Sequence, residues 1–108
     1  MEGSALREFV NGIVPMLGSQ LDQIILYGSV ARGTSTQESD IDIALIIHGS
    51  IDDALEDKLL DFIVDMNLKY DRVFSVIDIN CNNFQKWGDA LPFYKNVRKE
   101  GVTLWKAA

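Results

Sequence analysis

The segment from Asp40 to His48, DIDIALIIH, constrains this 108-residue chain more than any other stretch. Successive side chains of a strand point to opposite faces. The odd-numbered positions of the segment are wholly apolar: Ile41, Ile43, Leu45 and Ile47. The even-numbered positions begin with Asp40 and Asp42 and become apolar at Ala44 and Ile46. The pattern therefore predicts a strand that is covered on both faces, except at one open end that carries two acids.

Hydrophobic periodicity and capping residues predict five further elements around this strand. The first is a helix from Ser4 to about Gly18 that Pro15 ends or kinks, and a buried strand over 23–27 follows it. A helix over 53–68, capped by Asp52, and a third strand over 71–79 come after the Asp40–His48 strand. The last helix runs from Leu91 or Pro92 to Glu100, with Gly101 and a short extended tail after it. A polar loop is predicted over 33–39. The order α-β-β-α-β-α predicts an α/β (α+β) fold, in which a small mixed sheet carries packed helices. The length fits one domain over 1–108.

Composition narrows the class of partner. The formal net charge of −6 disfavours nucleic acid and suits a metal ion or a basic partner. No apolar run approaches the roughly 20 residues that a membrane span needs. The first residues, MEGSALREF, lack the pattern of a secretory leader, so we expect a cytoplasmic protein without membrane contact.

Asp40 and Asp42 are candidate metal ligands. Residues two apart in a strand lie about 6.5–7 Å apart on one face, where two carboxylates repel each other unless a cation lies between them. Mg²⁺ or Mn²⁺ prefers such oxygen ligands, and the phosphates of a nucleotide complete its coordination. An edge strand with its acids in water is the simpler interpretation of the tripeptide taken alone.

The turn from Gly28 to Gly33, GSVARG, is a candidate phosphate site because it directly follows the strand over 23–27. Glycine allows a tight turn and the close approach of another backbone. Ser29 can begin a helical turn whose free N–H groups bind phosphate, and its hydroxyl can donate to a phosphate oxygen. Arg32 can supply charge or hold the loop, and Gly33 lets the chain leave the turn.

Taken together, GSVARGTSTQESDID resembles the hallmark of the polymerase β-like nucleotidyltransferase superfamily, and the chain looks most like its minimal, stand-alone members. The resemblance implies transfer of a nucleoside monophosphate, AMP from ATP in the first instance, to a protein or small-molecule hydroxyl. It implies catalytic and metal-binding roles for Asp40 and Asp42. It implies nucleotide-binding roles for five residues: Gly28, Ser29, Arg32, Gly33 and Ser39.

The superfamily also uses a third carboxylate on the next strand, which helps to bind the catalytic metal and to deprotonate the acceptor. Asp78 and Asp71 are both candidates here, and strand alternation puts them on opposite faces. Ser75 shares a face with Asp71; if Ser75 occupies the family's acid position, the third ligand is missing. We favour Asp78 as the third catalytic carboxylate.

Minimal members of the family are often the antitoxin half of a pair with a helical HEPN-type toxin, so the resemblance implies such a partner. A homo-oligomer that builds the site at an interface is the other arrangement open to a chain of this length. Two further functions stay open. One is a nucleotidyltransferase-fold module that docks a partner with little or no turnover. The other is an enzyme similar to the aminoglycoside-modifying nucleotidyltransferases, which usually carry an additional helical domain.

Overall fold

A computed structural model of the protein describes residues 2–34, 36 and 39–108. Its elements, in chain order, are α1 (Glu2–Leu17), β1 (Leu21–Tyr27), α2 (Gly28–Arg32), β2 (Ile41–Ile47), α3 (Asp53–Tyr70), β3 (Phe74–Asn80), α4 (Cys81–Trp87), α5 (Pro92–Glu100) and β4 (Val102–Lys106). A short 3₁₀ turn, Gly18–Gln20, links α1 to β1. The loop predicted over 33–39 lies partly outside the described residues, since 35, 37 and 38 are not among them.

The four strands form one mixed sheet in the order β3-β2-β1-β4. Strand β1 runs antiparallel to both β2 and β4, whereas β2 and β3 are parallel and are joined through α3. This confirms the predicted α/β class with a small mixed sheet. The sequence pattern predicted only an extended tail after Gly101, and the structure pairs that tail with β1 as the edge strand β4.

The two faces of the sheet are covered unequally. The face that carries Ile41, Ile43 and Leu45, here the closed face, packs against α1 and α3 around Phe9 and Met66. The opposite face, here the open face, carries Asp42, Ala44 and Ile46 and is covered by α4 and α5 through three buried side chains: Cys81, Phe84 and Val97. Strand β2 is buried on both faces from Ile43 to Ile47, as the alternation predicted.

Two helices depart from the sequence prediction. Helix α1 begins at Glu2, so Ser4 is not its cap, and it continues past Pro15 to Leu17. A proline removes one backbone hydrogen bond, and this loss is small so near the end of a helix whose apolar side is buried. Helix α4 was not predicted because seven residues with two buried positions give almost no periodic signal; Asn80 caps it by accepting from two backbone N–H groups.

Helix α3 agrees with its predicted start. The Asp52 side chain accepts from the Leu55 N–H at 2.8 Å and caps the first turn. The helix runs to Tyr70, and Asp71 then adopts a left-handed conformation with φ 50°. None of the helices in the described part of the chain has the length and hydropathy to cross a membrane.

Candidate functional site

The candidate site lies at one end of the strands, where β1 ends and β2 and β3 begin. Because β1 is antiparallel to β2, its last residue, Tyr27, pairs with Asp42. Because β3 is parallel to β2, Ser75 pairs with Asp42 from the other side. Paired residues point to the same face, so Tyr27, Asp42 and Ser75 form a row on the open face, with Asp40 just before β2.

Gly28 joins the predicted phosphate turn to the predicted metal ligand. It has φ +75°, which favours glycine, and a Cβ atom at this position would collide with the Asp42 carboxylate. The backbone at the start of α2 therefore lies directly against Asp42. A side chain at this position would displace the Asp42 carboxylate. The sequence predicted a tight turn at Gly28 and the close approach of another backbone, and the structure shows that the approaching group is the Asp42 side chain.

The surroundings of the Asp42 carboxyl disfavour its ionised form. Partial burial raises its pKa above the ordinary value for aspartate, the charge of Asp40 raises it further, and Arg32 works against both. The pKa of the neighbouring Tyr27 hydroxyl is also raised, first by burial and then by the Asp42 charge. A partly buried acid whose ionisation is disfavoured by burial and by a neighbouring carboxylate favours the binding of a cation.

Arg32 lies at the end of α2 and contacts α5. Its Nη1 atom is 3.1 Å from Oε2 of Glu100, and both side chains are substantially exposed. The same guanidinium lowers the pKa of Asp42. Arg32 thus holds α2 against α5 and also places positive charge near the acids. These are the two roles that the sequence left open for it.

The remaining predicted nucleotide-binding residues have distinct local roles. Ser29 lies in α2, and within the described residues no group hydrogen-bonds its hydroxyl, so this hydroxyl is available to a ligand. Gly33 ends α2 in a left-handed conformation with φ +75°. Ser39 holds the loop before β2: its hydroxyl accepts from the Thr36 N–H at 3.0 Å, and its carbonyl accepts from Arg72 at 2.9 Å.

The register of β3 does not support our preference for Asp78 as the third carboxylate. Asp78 pairs with Leu45, so it belongs to the closed-face side of β3 and not to the face of Asp42. Asp71 caps the end of α3 and lies outside the strand. Ser75 occupies the position beside Asp42. Within residues 2–34, 36 and 39–108, no three His, Cys, Asp or Glu side chains are grouped to hold a metal ion.

One wall of the site was not predicted from the sequence. The Tyr27 ring contacts Phe93 of α5 edge to face, with ring centroids 5.7 Å apart, and Phe93 remains 44% exposed. The only sequence signal for Tyr27 is that it directly precedes Gly28. Phe93 follows Tyr27 by 66 positions in the chain, and the packing of α5 against β1 brings the two rings together.

Known proteins resemble this chain in sequence and in fold. The profile of the family described as polymerase beta, nucleotidyltransferase matches residues 13–107. The protein MJ0604 of Methanocaldococcus jannaschii, provisionally named a protein adenylyltransferase, is 36% identical over 107 residues. That match covers 96% of this chain and 98% of the relative, so the two proteins correspond along nearly their whole lengths.

Solved structures share the fold at low identity. A crystal structure of a toxin–antitoxin with AMP-PNP superposes with a TM-score of 0.58 at 22% identity, covering 90% of this chain and 73% of that one. A mutant of the toxin–antitoxin MntA–HpeT gives a TM-score of 0.59 at 20% identity, with the same coverage of 90% and 73%. The family profile and the 36% identical relative together show that the chain belongs to the polymerase β nucleotidyltransferase family, as one of its minimal members.

Proposed function

We propose that this protein transfers a nucleoside monophosphate, AMP from ATP, to a hydroxyl group of another protein. The observation that carries the proposal is the contact between Gly28 and Asp42, which places a turn fit for phosphate directly against an acid fit for a metal ion. The name of the relative MJ0604 supports adenylyl transfer to a protein. A small-molecule hydroxyl is the other acceptor class.

The residues present fit a divalent cation held jointly with a nucleotide. Mg²⁺ is commonly bound through one or two carboxylates together with substrate phosphates, and the pair of Asp40 and Asp42 is such a donor set. The raised pKa of Asp42 indicates that a positive charge at this place would be favourable. When bound, the cation neutralises charge on the phosphates and orients them.

The reaction itself is a substitution at the α-phosphorus. The acceptor oxygen forms a bond to this phosphorus, the bond to the β-phosphate bridging oxygen breaks, pyrophosphate leaves, and the acceptor proton passes to water. The chain's part is to hold the triphosphate on the N–H groups of α2 and on the Ser29 hydroxyl. Arg32 adds positive charge, and the Tyr27–Phe93 wall borders the place where nucleotide or acceptor enters.

The acceptor-bearing partner in this proposal is a helical HEPN-type protein, with this chain as its antitoxin. The resemblance to minimal nucleotidyltransferases supports this pairing, and both structural neighbours described above are toxin–antitoxin proteins. A site completed by a second copy of the chain is the alternative arrangement.

The test is transfer of label from α-³²P-ATP with Mg²⁺ to the product of an adjacent gene. We expect labelling of that protein, and we expect the double change Asp40→Ala/Asp42→Ala to reduce it by about a thousandfold or more, since metal-assisted charge stabilisation contributes several kcal/mol. Asp78→Ala removes an exposed acid from the same sheet and should leave labelling unchanged. Equal labelling by the wild type and the double variant would exclude the proposal.

Ser75 favours a second candidate, a docking module with weak or no turnover. Among the described residues, its position beside Asp42 leaves the site with the two carboxylates of Asp40 and Asp42. If the missing acid limits the rate, Ser75→Asp should raise labelling about tenfold to a hundredfold, because general base catalysis contributes at least this much. Ser75→Asn is the matched control without charge. Partner binding with no label in any variant would instead support the docking module.

A further inference from the structure

Helix α3 exposes an apolar row that faces away from the protein. Leu60, Val64 and Leu68 are spaced four residues apart, so they lie along one line of the helix surface. Their exposed fractions are 51%, 54% and 78%. We call this line the α3 outer row. Exposed apolar residues are ordinary when single, whereas three in a line present a continuous apolar surface.

The outer row does not serve the packing of α3 onto the sheet. The opposite side of the helix does this through Leu59 and Met66, which are almost fully buried, and through Phe62 and Ile63, which pack against the same core. Folding therefore leaves the outer row without a partner. Polar residues at its three positions would support the same helix equally well.

A row of aspartates runs beside the outer row. Asp57, Asp61 and Asp65 each precede one of its apolar residues by three positions, and residues three apart are neighbours on a helix. All three aspartates are exposed, and none takes part in an ion pair within the part of the chain that the structure describes. The helix thus presents an apolar line bordered by three exposed aspartates.

We propose that the α3 outer row and its aspartates dock a basic amphipathic helix of a partner protein. The apolar line matches a helix with apolar residues at every fourth position, and the aspartates select lysine or arginine beside them. Nucleic acid is repelled by the acids. A second copy of α3 would bring three aspartates against three others, which is unfavourable.

Helix α5 of a second copy is also a poor match. It is basic near its end, at Arg98 and Lys99, but it exposes one large apolar side chain, Phe93. One apolar residue does not fill a line of three, so a partner with its own amphipathic helix fits the surface better. This docking is independent of the proposed reaction, because α3 packs on the closed face and Asp42 lies on the open face. A docked partner leaves the nucleotide site uncovered.

The test uses a synthetic helical peptide of about 18 residues, with leucines four residues apart and a lysine three residues before each. Binding to the full chain is measured by fluorescence anisotropy at several salt concentrations. The variants are Leu60→Gln/Val64→Gln/Leu68→Gln and Asp57→Asn/Asp61→Asn/Asp65→Asn. The control, Trp87→Gln/Leu91→Gln/Val102→Gln, removes three exposed apolar side chains elsewhere on the surface.

We expect one-to-one binding of the peptide. The outer-row variant should weaken this binding by at least about tenfold, while the control variant should leave it unchanged. The aspartate variant should weaken binding and flatten its salt dependence. Because the outer-row and aspartate positions are exposed, these two variants should keep the unfolding temperature of the wild type. Asp40→Ala/Asp42→Ala should bind the peptide normally, which separates this proposal from the catalytic one.

Three results would overturn the proposal. The first is a failure of the wild type to bind the peptide. The second is equal binding of a scrambled peptide of the same composition, which would show attraction by charge alone. The third is a wild type that sediments as a dimer while the outer-row variant sediments as a monomer, since the outer row would then be an interface between copies of this chain.

Discussion

The closed and open faces of the sheet share every strand, yet they are built for different purposes. Among the described residues, 14 buried side chains form the core on the closed face and seven form the core on the open face. The closed face is sealed by the two long helices α1 and α3. The open face is covered by the shorter α4 and α5, and its cover ends before Asp42.

This difference explains how a small domain tolerates a pair of repelling acids. Ile41 and Ile43 flank Asp42 in β2 and are fully buried on the closed face, so they hold the strand in place. Packing on the other side of the same strand offsets the electrostatic free energy of bringing Asp40 and Asp42 together. The closed face therefore contributes most of the stability, and the open face carries the candidate site. Single substitutions on one face or the other can affect the two properties separately.

The largest effect is expected from Phe9→Ala on the closed face. The Phe9 ring is fully buried and stacks on Phe74 with centroids 5.2 Å apart. Its loss should lower the free energy of unfolding by about 3–5 kcal/mol, which is a large part of the stability of a small domain. Denaturant unfolding followed by circular dichroism measures this.

Phe93→Ala removes the same side chain from the open face, where the ring is 44% exposed. It should cost less than about 1.5 kcal/mol and act instead on nucleotide or acceptor binding. Equal destabilisation by the two changes would show that the faces do not differ as described.

An intermediate effect is expected from Gly28→Ala. The substitution combines a backbone with φ +75° with a collision against Asp42. We expect labelling of the partner to fall about a hundredfold, because a shift of about 1 Å at a reacting site has this effect. Transfer of ³²P at saturating ATP measures it.

Gly49→Ala is the control for backbone strain. Gly49 has φ +76°, almost the same as Gly28, and the nearest atom to an added Cβ is 4.0 Å away. This variant should lose about 1 kcal/mol of stability and keep its activity. If the two alanine variants lose equal activity, the collision with Asp42 does not matter and strain alone accounts for the loss.

The smallest effect is a gain in stability from Asp42→Asn. The folded state raises the pKa of Asp42, so it binds this proton more tightly than the unfolded chain does. The ionised carboxylate therefore destabilises the fold above that pKa, and the penalty disappears as the pH falls through it. In EDTA at neutral pH, we expect Asp42→Asn to unfold about 2 °C higher than the wild type.

The same comparison at lower pH gives its check. The difference between Asp42→Asn and the wild type should shrink as the pH approaches the acid range, and Mg²⁺ with a non-hydrolysable ATP analogue should reverse it at neutral pH. Asp78→Asn removes an exposed acid and should not change the unfolding temperature. A wild type that is more stable than Asp42→Asn in EDTA would contradict strain at this carboxylate.

Local patterns in the sequence were sufficient for much of the fold. The alternation in Asp40–His48 predicted both buried faces of β2, and Asp52 marked the start of α3. The pattern failed where an element is short: α4 has seven residues, too few for a repeat of 3.6 to be visible. Strand β4 was visible only as an extended tail, because pairing with β1 depends on a partner about 80 residues away.

The candidate site divides in the same way. Gly28 and Asp42 belong to one continuous motif, so their chemistry could be proposed from residue types and spacing. The third carboxylate could not be settled, because alternation alone leaves two sets of residues and does not say which set faces Asp42. The register of β2 and β3 pairs Asp42 with Ser75, and it places Asp78 beside Leu45.

By itself, the sequence determined the two-sided burial of β2, the turn at Gly28 and the pair of acids at Asp40 and Asp42, because each depends on residues close together in the chain. The tertiary structure alone decided that Ser75 lies beside Asp42, that Phe93 packs on Tyr27, and that Leu60, Val64 and Leu68 remain outside the core. The physical reason is the sequence separation of the residues whose contacts decide each feature. Side-chain alternation and turn geometry are local, whereas strand register and helix packing follow from contacts between distant segments.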